Sequence, residues 1–397
     1  MNTVSTSEPL PSVESALRSA PSDALVATAR RLLGDRAGAR EVTLLLADYA
    51  LRTLRPVDPL PGTEEAVSAQ DGPAGRAFTG QRPVVEPAAE GTAVVHVPVS
   101  VRGDRLGVLC ARVPLPDAGP AGVGRIAAFA TALGHEIAAA ERDTDLYLLA
   151  RRSRRLTLAA EMQWQLLPGR GCERPEFEIG AHLEPAYTVG GDNFDWSADG
   201  DHLTLTVTDG MGRGVDAALL TGVTVGALRN ARRAGLCLAD QARLADQAVY
   251  AQFGGKAYAS TLLLRFDLAT GTVRAVDAGS PRLYRRRGDT VRHIELEAQL
   301  PLGMFEETAY DEQIFSVRPG DRLVAVSTGV HGARSPEGGL FGEEALRRAL
   351  DTAPARAPQE VARSVVAGLV AHFGSSDLTA DAAVVCLDWH GRDPAAS

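Results

Sequence analysis

Two aspartates in glycine-rich loops are the residues of this sequence best suited to chemistry. Asp192 lies in TVGGDNFDW (188–196), and Asp209 lies in TVTDGMGRGVDAALL (206–220), at the end of an alternating strand and before a helix. Neighbouring glycines let the backbone approach an ion closely. Carboxylates on adjacent strand ends could bind Mg²⁺ or Mn²⁺, which take oxygen ligands, and a metal-bound water can hydrolyse a phosphoester. An ordinary turn is the alternative for each loop, and DGMGRG lacks the Lys-Ser/Thr pair of a Walker loop.

Length and composition restrict the other functions of the chain. Its 397 residues predict roughly two or three domains, and a net charge of −9 argues against nucleic-acid and anionic-membrane partners. The four cysteines are scattered without a CxxC pair, which argues against a disulfide framework or a zinc site. The N-terminus has no signal-peptide pattern, and no apolar run reaches the ~18 residues of a membrane span. We therefore expect a cytoplasmic protein.

The N-terminal part of the sequence predicts a small α+β domain. After a flexible tail (1–22), the run ALVATARRLL has helical periodicity and EVTLLLAD is strand-like. TAVVHVPVSV (92–101) and RLGVLCARV (105–113) flank the turn RGD, a pattern typical of a β-hairpin. The expected domain spans residues 23–123.

Residues 124–167 predict a helical linker with an apolar stripe. Apolar residues recur there at three- and four-residue multiples: Ile126, Phe129, Leu133, Ile137, Leu148, Met162 and Leu166. A helix packed on its own domain is one interpretation of this pattern. The other is a linker helix that pairs with its copy, and we expect a homodimer formed in this way.

The C-terminal part predicts a layered α+β domain over residues 168–390, followed by a short tail (391–397). Strand-like runs are LTLTVT, STLLLRF, TVRAV, RLVAVS and AAVVCLDW, and three long helical stretches lie among them. The turn ATGT joins two of the strands as a hairpin, so the sheet is at least partly antiparallel. Strands and helices that do not alternate as βαβ units favour sheets with helices on their outer faces.

Several linked motifs in this part resemble one protein family. QWQLLP, EPAYTVGGDNFDW, TDGMGRGVDAALL, DAGSPRLY, PLGM and PGDRLVAVSTGVHGAR occur in the family's order. They are similar to the PPM-type, metal-dependent Ser/Thr protein phosphatases of the SpoIIE-like bacterial branch. That resemblance implies an α-β-β-α sandwich with two metal ions at one end of the paired sheets. The N-terminal domain resembles a GAF sensor domain.

The resemblance assigns a role to each retained motif residue. Asp192 corresponds to the aspartate of the family's Gly-Gly-Asp motif, and Asp209 to the aspartate that bridges both ions. Gly210 supplies the backbone carbonyl that follows. Asp195 is a candidate supporting residue that would act through water. We expect one bound Mn²⁺ or Mg²⁺ ion, where the family has two.

Other motif positions depart from the family pattern. Thr328 replaces the metal-binding aspartate of Thr-Asp-Gly, Ala380 replaces the first aspartate of Asp-Asp, and Ser280 replaces the histidine of Ala-Gly-His. Asp381 is a candidate substitute ligand, but a shift of one residue along a strand turns the side chain to the opposite face. Asp377 is a weaker candidate from the preceding loop.

Two functions follow from the resemblance. The first is a regulatory Ser/Thr phosphatase that dephosphorylates a signalling partner, such as an anti-sigma-factor antagonist, and is controlled by the GAF-like domain through an unknown small molecule. The alternative is a catalytically impaired pseudophosphatase that binds a phosphorylated regulatory protein. Loss of two carboxylates from the second ion's position predicts a severe loss of rate.

Overall fold

The computed structural model describes residues 12–57, 65–152, 156–186, 189–279, 281–335, 338–351, 356–374 and 378–392, without the side chains of 343–345 and 351. The chain divides into two units, Met1–Arg155 and Leu156–Ser397. Ser280 and Asp377 lie outside the described residues. No helix in the described ranges is long and apolar enough to cross a membrane.

The N-terminal unit is a six-stranded antiparallel sheet with helices on both faces. Its helices are α1 Val13–Arg18, α2 Leu25–Ala37, α3 Gly72–Gly80, α4 Pro120–Ala140 and α5 Leu146–Ala150. Its strands are β1 Glu41–Ala47, β2 Thr53–Pro56, β3 Val67–Ser68, β4 Val84–Ala88, β5 Thr92–Val101 and β6 Asp104–Pro114. The strand order is β3-β2-β1-β6-β5-β4. The predicted hairpin at RGD is confirmed, because β5 and β6 pair antiparallel around Arg102 and Gly103.

The residues expected in a flexible tail include a packed helix. Helix α1 begins after Ser12, whose hydroxyl accepts a hydrogen bond from the backbone N–H of Ser15, an N-cap that satisfies a free donor of the first turn. Leu17 of α1 is fully buried in the core formed by α1, α2, α4 and the sheet. For residues 13–18 the expectation of a flexible tail is therefore wrong.

The first four residues of the expected linker's apolar stripe are buried within the N-terminal unit. Ile126, Phe129, Leu133 and Ile137 of α4 are all buried in the same core as strands β5 and β6. Helix α4 ends at Ala140, so residues 124–167 do not form a continuous helix. The interpretation of α4 as a helix packed on its own domain is the correct one. Because these four residues are buried, the α4 part of the stripe does not support the expected homodimer.

The C-terminal unit contains two sheets and six helices among its described residues. Its helices are α6 Leu158–Leu166, α7 Gly214–Arg233, α8 Leu238–Phe253, α9 Thr328–His331, α10 Gly342–Asp351 and α11 Pro358–Phe373. One sheet contains β9 Asn193–Ala198, β10 His202–Gly210, β11 Ala259–Asp267, β12 Thr272–Ala278 and β15 Gln313–Ser316. The other contains β7 Gly171–Arg174, β8 Phe177–Glu184, β13 Arg282–Arg287, β14 Thr290–His293, β16 Arg322–Val326 and β17 Ala382–Trp389. The orders are β15-β12-β11-β10-β9 and β14-β13-β16-β17-β8-β7.

Each sheet of the C-terminal unit is buried on both faces. Leu262 and Leu264 of β11 lie in the core between the two sheets, whereas the intervening Leu263 lies in the core with α7 and α8. On the second sheet, Val385 belongs to the core between the sheets and Val384 to the core with α10 and α11. This alternation follows from the two-residue period of a strand. It confirms the α-β-β-α sandwich.

Candidate functional site

The two aspartates of the glycine-rich loops lie side by side at one end of the sandwich. Asp209 lies near the end of strand β10, where it pairs with Ser260 of β11. Strand β9 pairs antiparallel with β10 so that Asn193 lies opposite Thr208, which places Asp192 beside Asp209. The backbone N–H of Gly210 donates to the carbonyl of Gly191 at 3.1 Å and ties the two loops together.

The glycines of these loops are required by close packing of backbone against backbone. A Cβ atom on Gly191 would lie 2.5 Å from the carbonyl oxygen of Gly210. A Cβ on Gly210 would lie 2.7 Å from the hydroxyl of Thr221, which itself donates to the Gly191 carbonyl at 2.7 Å. The helix α7 thus fixes the loop pair through Thr221. The spacing of glycine and aspartate in the sequence reflects this contact as well as any ion that the aspartates hold.

Asp192 is a buried acid without sufficient hydrogen-bond partners. Burial, and then the charges of Asp209 and Asp381, raise the pKa of Asp192 well above its ordinary value, and a hydrogen bond from Ser327 only partly opposes this. Its Oδ2 atom is buried and has no hydrogen-bond partner among the described residues. A divalent cation would replace the proton and satisfy this oxygen. Asp192 and Asp209 therefore fit one hard cation.

One cavity contains both the retained and the altered family positions. It has a volume of about 680 Å³, and it is lined by Asp192, Asp209, Thr328, Gly329, Gly332, Ala333, Arg334, Ser335, Phe373, Leu378, Thr379 and Ala380. The backbone N–H of Thr328 donates to Oδ2 of Asp209 at 3.3 Å. The described residues contain no group of three or more His, Cys, Asp and Glu side chains arranged to hold a metal ion. Thr328 and Ala380 line the same cavity with side chains that carry no charge.

Asp381 supports the loop that carries Asp192 and does not face the cavity. Its Oδ1 accepts hydrogen bonds from the backbone N–H groups of Ala186 at 2.8 Å and Gly190 at 2.9 Å. Its Oδ2 accepts one from Nε2 of Gln163 at 2.5 Å. Asp381 is 1% exposed and is not among the residues that line the cavity. Asp381 therefore contacts the Asp192 loop from behind the cavity, whereas Ala380 lines the cavity, and a role for Asp381 as a substitute ligand stays a prediction.

Gln163 is a site-supporting residue that the sequence reasoning missed. Its Nε2 donates both to Oδ2 of Asp381 and to the backbone carbonyl of Asp192, the latter at 2.9 Å. Helix α6 buries Gln163 together with Ala159 and Ala160 on one face. A glutamine at helical spacing on a buried alanine face indicates a buried hydrogen-bond partner. That signal is present in LAAEMQWQL (158–166).

Asp195 belongs to a separate ion-pair network. Its Oδ1 lies 2.8 Å from a guanidinium nitrogen of Arg229, and its Oδ2 lies 2.9 Å from one of Arg232. Both arginines are on α7, and Asp195 is 3% exposed. Asp195 points to the helix face of β9, whereas the neighbouring Phe194 lies in the core between the sheets. A supporting role for Asp195 at the cation stays a prediction, and in this structure both carboxylate oxygens form ion pairs with arginines of α7.

Comparisons with known proteins agree with this geometry. Residues 199–390 match the family model described as Stage II sporulation protein E (SpoIIE). Protein IcfG of Synechocystis sp. is 24% identical over 244 residues, which are 54% of this chain and 38% of that protein. The phosphoserine phosphatase RsbU of Bacillus subtilis is 22% identical over 217 residues, which are 54% of this chain and 64% of that protein. The chain thus spans less than two thirds of the length of either relative.

Solved structures provide a third comparison. The catalytic domain of the serine/threonine protein phosphatase PstP, solved in complex with 2 manganese ions, is 17% identical and has a TM-score of 0.41. The likeness covers 54% of this chain and 98% of that one. The family match extends over most of the two sheets, from β10 to β17. Over residues 199–390 the C-terminal unit of this chain is therefore similar to the SpoIIE family.

Proposed function

We propose that the C-terminal unit is a regulatory module of the Ser/Thr phosphatase type that binds a phosphorylated signalling protein at a single divalent cation. The cation would be Mn²⁺ or Mg²⁺, held by Asp192, Asp209 and the backbone carbonyl of Gly210. The observation that carries this proposal is that Asp192 and Asp209 line one cavity together with Thr328 and Ala380. The similarity to a phosphoserine phosphatase supports a phosphoserine partner, such as an anti-sigma-factor antagonist.

Of the two functions expected from the sequence, this geometry favours the catalytically impaired one. A bound cation supplies a Lewis acid and lowers the pKa of its water. Asp192 would hold such a cation as a carboxylate, and the N–H of Thr328 donates to the carboxylate of Asp209 and orients it. A second cation would share Asp209 with the first but would face the uncharged side chains of Thr328 and Ala380. Its repulsion from the first cation would be almost unopposed, so hydrolysis is severely slowed.

The N-terminal unit is proposed to act as the sensor of this module. The proposal rests on the resemblance of its sequence to GAF domains, and the ligand would be a small molecule. Homodimer formation is part of the same proposal, although the apolar stripe of α4 is buried in the unit's own core and another surface must then form the contact.

Turnover of a phosphoserine peptide by the purified full chain tests the proposal, with manganese titrated. We expect one bound ion and very slow turnover. The double change Thr328→Asp with Ala380→Asp should add a second ion and raise turnover roughly 100-fold or more, since a cation at the reacting oxygens contributes several kcal/mol.

The two single variants are the matched controls, because one added carboxylate leaves the second ion's shell incomplete. Each should increase turnover much less than the double variant. Turnover by the unmodified chain equal to that of the double variant would refute the impaired function and would restore the regulatory phosphatase as the function of this unit.

A further inference from the structure

We propose that Arg334 forms a binding subsite for the dianionic phosphate group of a phosphomonoester, in the cavity that Asp192 and Asp209 also line. This inference rests on the proposed function and names the group that the module recognises. The phosphate would lie between the cation and the guanidinium, next to the neutral side chains of Thr328 and Ala380.

The backbone around Arg334 holds this side chain at the rim of the cavity. Arg334 forms an isolated β-bridge with Leu340, and the N–H of Phe341 donates to the carbonyl of Ala333 at 2.8 Å. The N–H of Ser335 donates to the carbonyl of Gly339 at 2.7 Å. The segment that carries Arg334 is thus tied back on itself immediately after α9. Such backbone pairing positions the arginine before any ligand arrives.

The charges around the cavity favour an anion at this position. Among the described residues that line the cavity, Arg334 is the one with a permanent positive charge, and Asp192 and Asp209 are the ones with carboxylates. One divalent cation balances these two carboxylates. A phosphate dianion then adds two negative charges, for which Arg334 is the available counter-charge in the lining.

The hydrogen-bonding capacity of Arg334 also suits phosphate. One terminal nitrogen donates to the carbonyl of Gly338 at 3.3 Å, whereas a guanidinium has five N–H donors. Arginine binds phosphate oxygens in a bidentate way, and such charge-assisted bonds are about twice as strong as neutral ones. The hydroxyl-bearing residues Thr328, Ser335 and Thr379 line the same cavity. They can donate to further phosphate oxygens.

This arrangement separates binding from hydrolysis. A guanidinium stays protonated in proteins, so it attracts phosphate without lowering the pKa of a water as a metal ion does. Arg334 would therefore replace the charge of the second cation, but not its chemistry. The expected result is a cavity from which a bound phosphoserine dissociates faster than it is hydrolysed.

Fluorescence anisotropy with a labelled phosphoserine peptide, in the presence of manganese, tests the subsite in the full chain. Arg334→Ala should weaken peptide binding by about 10- to 100-fold, the range expected for lost hydrogen bonds to a charged group. Arg334→Lys should restore part of the affinity, because lysine keeps the charge and loses the bidentate geometry. Arg292→Ala, at an exposed arginine on the edge strand β14, is the control and should bind like the unmodified chain.

Calorimetry of manganese binding and of inorganic phosphate binding separates failure of the subsite from failure of the proposed function. Manganese affinity should change by no more than about twofold in Arg334→Ala, since the cation does not contact this residue. If Arg334→Ala binds the peptide as tightly as the unmodified chain does, the subsite is wrong and the proposed function stands. If the chain binds inorganic phosphate through Arg334 but binds no phosphopeptide, the subsite stands and the proposed function is wrong. Binding of neither probe refutes both.

Discussion

The two walls of the cavity differ in chemistry although their backbones are equally constrained. On the wall formed by the ends of β9 and β10, Gly191 packs so closely on Gly210 that any side chain would collide with a carbonyl. On the opposite wall, a Cβ on Gly329 would overlap the carbonyl oxygen of Asp381. The first wall keeps its carboxylates, and the second carries Thr328 and Ala380.

This difference shows that the frame of a metal site and its ligands are separate requirements. The frame is needed for folding, because the close contacts of Gly191 and Gly329 join strands and loops of the sandwich. The ligands are needed only for the ions. Close backbone contacts can therefore be present whether or not a wall carries acids, and fold alone does not establish the activity.

The largest expected effect is on manganese binding, when a carboxylate is removed from the acidic wall, which is the part of the cavity lined by Asp192 and Asp209. Asp209→Ala should weaken manganese binding by roughly 100-fold or more, because it removes the carboxylate expected to contact the ion most directly. Isothermal titration calorimetry should detect no binding at millimolar manganese. Asp311→Asn, at an exposed carboxylate of the same unit, is the control and should leave binding unchanged. Unaltered affinity in Asp209→Ala would show that the two loops are turns and not a cation site.

The protonation of Asp192 should make manganese binding depend on pH. The folded-state pKa is raised above the ordinary value of 3.8, so the metal-free fold binds a proton that the unfolded chain has released. The bound proton contributes to the free energy of unfolding. This contribution is complete at pH values below the unfolded-state pKa of Asp192, and it is lost as the pH rises through the folded-state pKa. Manganese must displace the same proton, so its affinity should rise with pH by up to about tenfold per unit in that window.

Calorimetry at a series of pH values above the ordinary pKa of an aspartate measures this slope. Asp192→Asn should bind manganese weakly and with a reduced slope, because the amide has no proton to release. A slope that is unchanged in Asp192→Asn would assign the proton to another group and would remove Asp192 from the acidic wall.

A smaller effect is expected from the support behind the acidic wall. Gln163→Ala removes the donor shared by the Asp192 carbonyl and Asp381, and it leaves a buried carboxylate oxygen with one partner fewer. Manganese affinity should fall about tenfold, and the melting temperature should fall as well. Gln165→Ala is a matched control, because Gln165 is an exposed glutamine on the same helix. Equal effects of the two variants would contradict a positioning role for Gln163.

The smallest effect on metal binding is expected at Asp195. Asp195→Ala breaks the ion pairs with Arg229 and Arg232 and should destabilise the unit, since removal of one partner from a buried pair leaves uncompensated charge. Manganese affinity should remain within about twofold of that of the unmodified chain. Thermal unfolding and calorimetry on the same sample separate the two quantities. A loss of manganese binding without a loss of stability would return Asp195 to the metal site.

Local patterns in the sequence were sufficient for most of the strands and for the acidic wall. The run AAVVCLDW coincides with β17, and the predicted turn at RGD joins β5 to β6. These elements follow from side-chain periodicity and turn chemistry, which act over a few residues. Asp192 and Asp209 were identified because each lies in a glycine loop at the end of a strand. Two antiparallel neighbouring strands bring such loops together.

Tertiary structure decided what each buried side chain faces. The stripe of α4 has the same periodicity whether its partner is a second copy or its own sheet, and only the three-dimensional packing shows that the partner is the sheet. Likewise, Ala380 and Asp381 are adjacent in sequence, but one lines the cavity and the other accepts three hydrogen bonds behind it. The partners of Asp381 lie up to 218 positions away in the chain. Periodicity reports which residues share a face, whereas the contacts of that face depend on distant residues that only folding brings together.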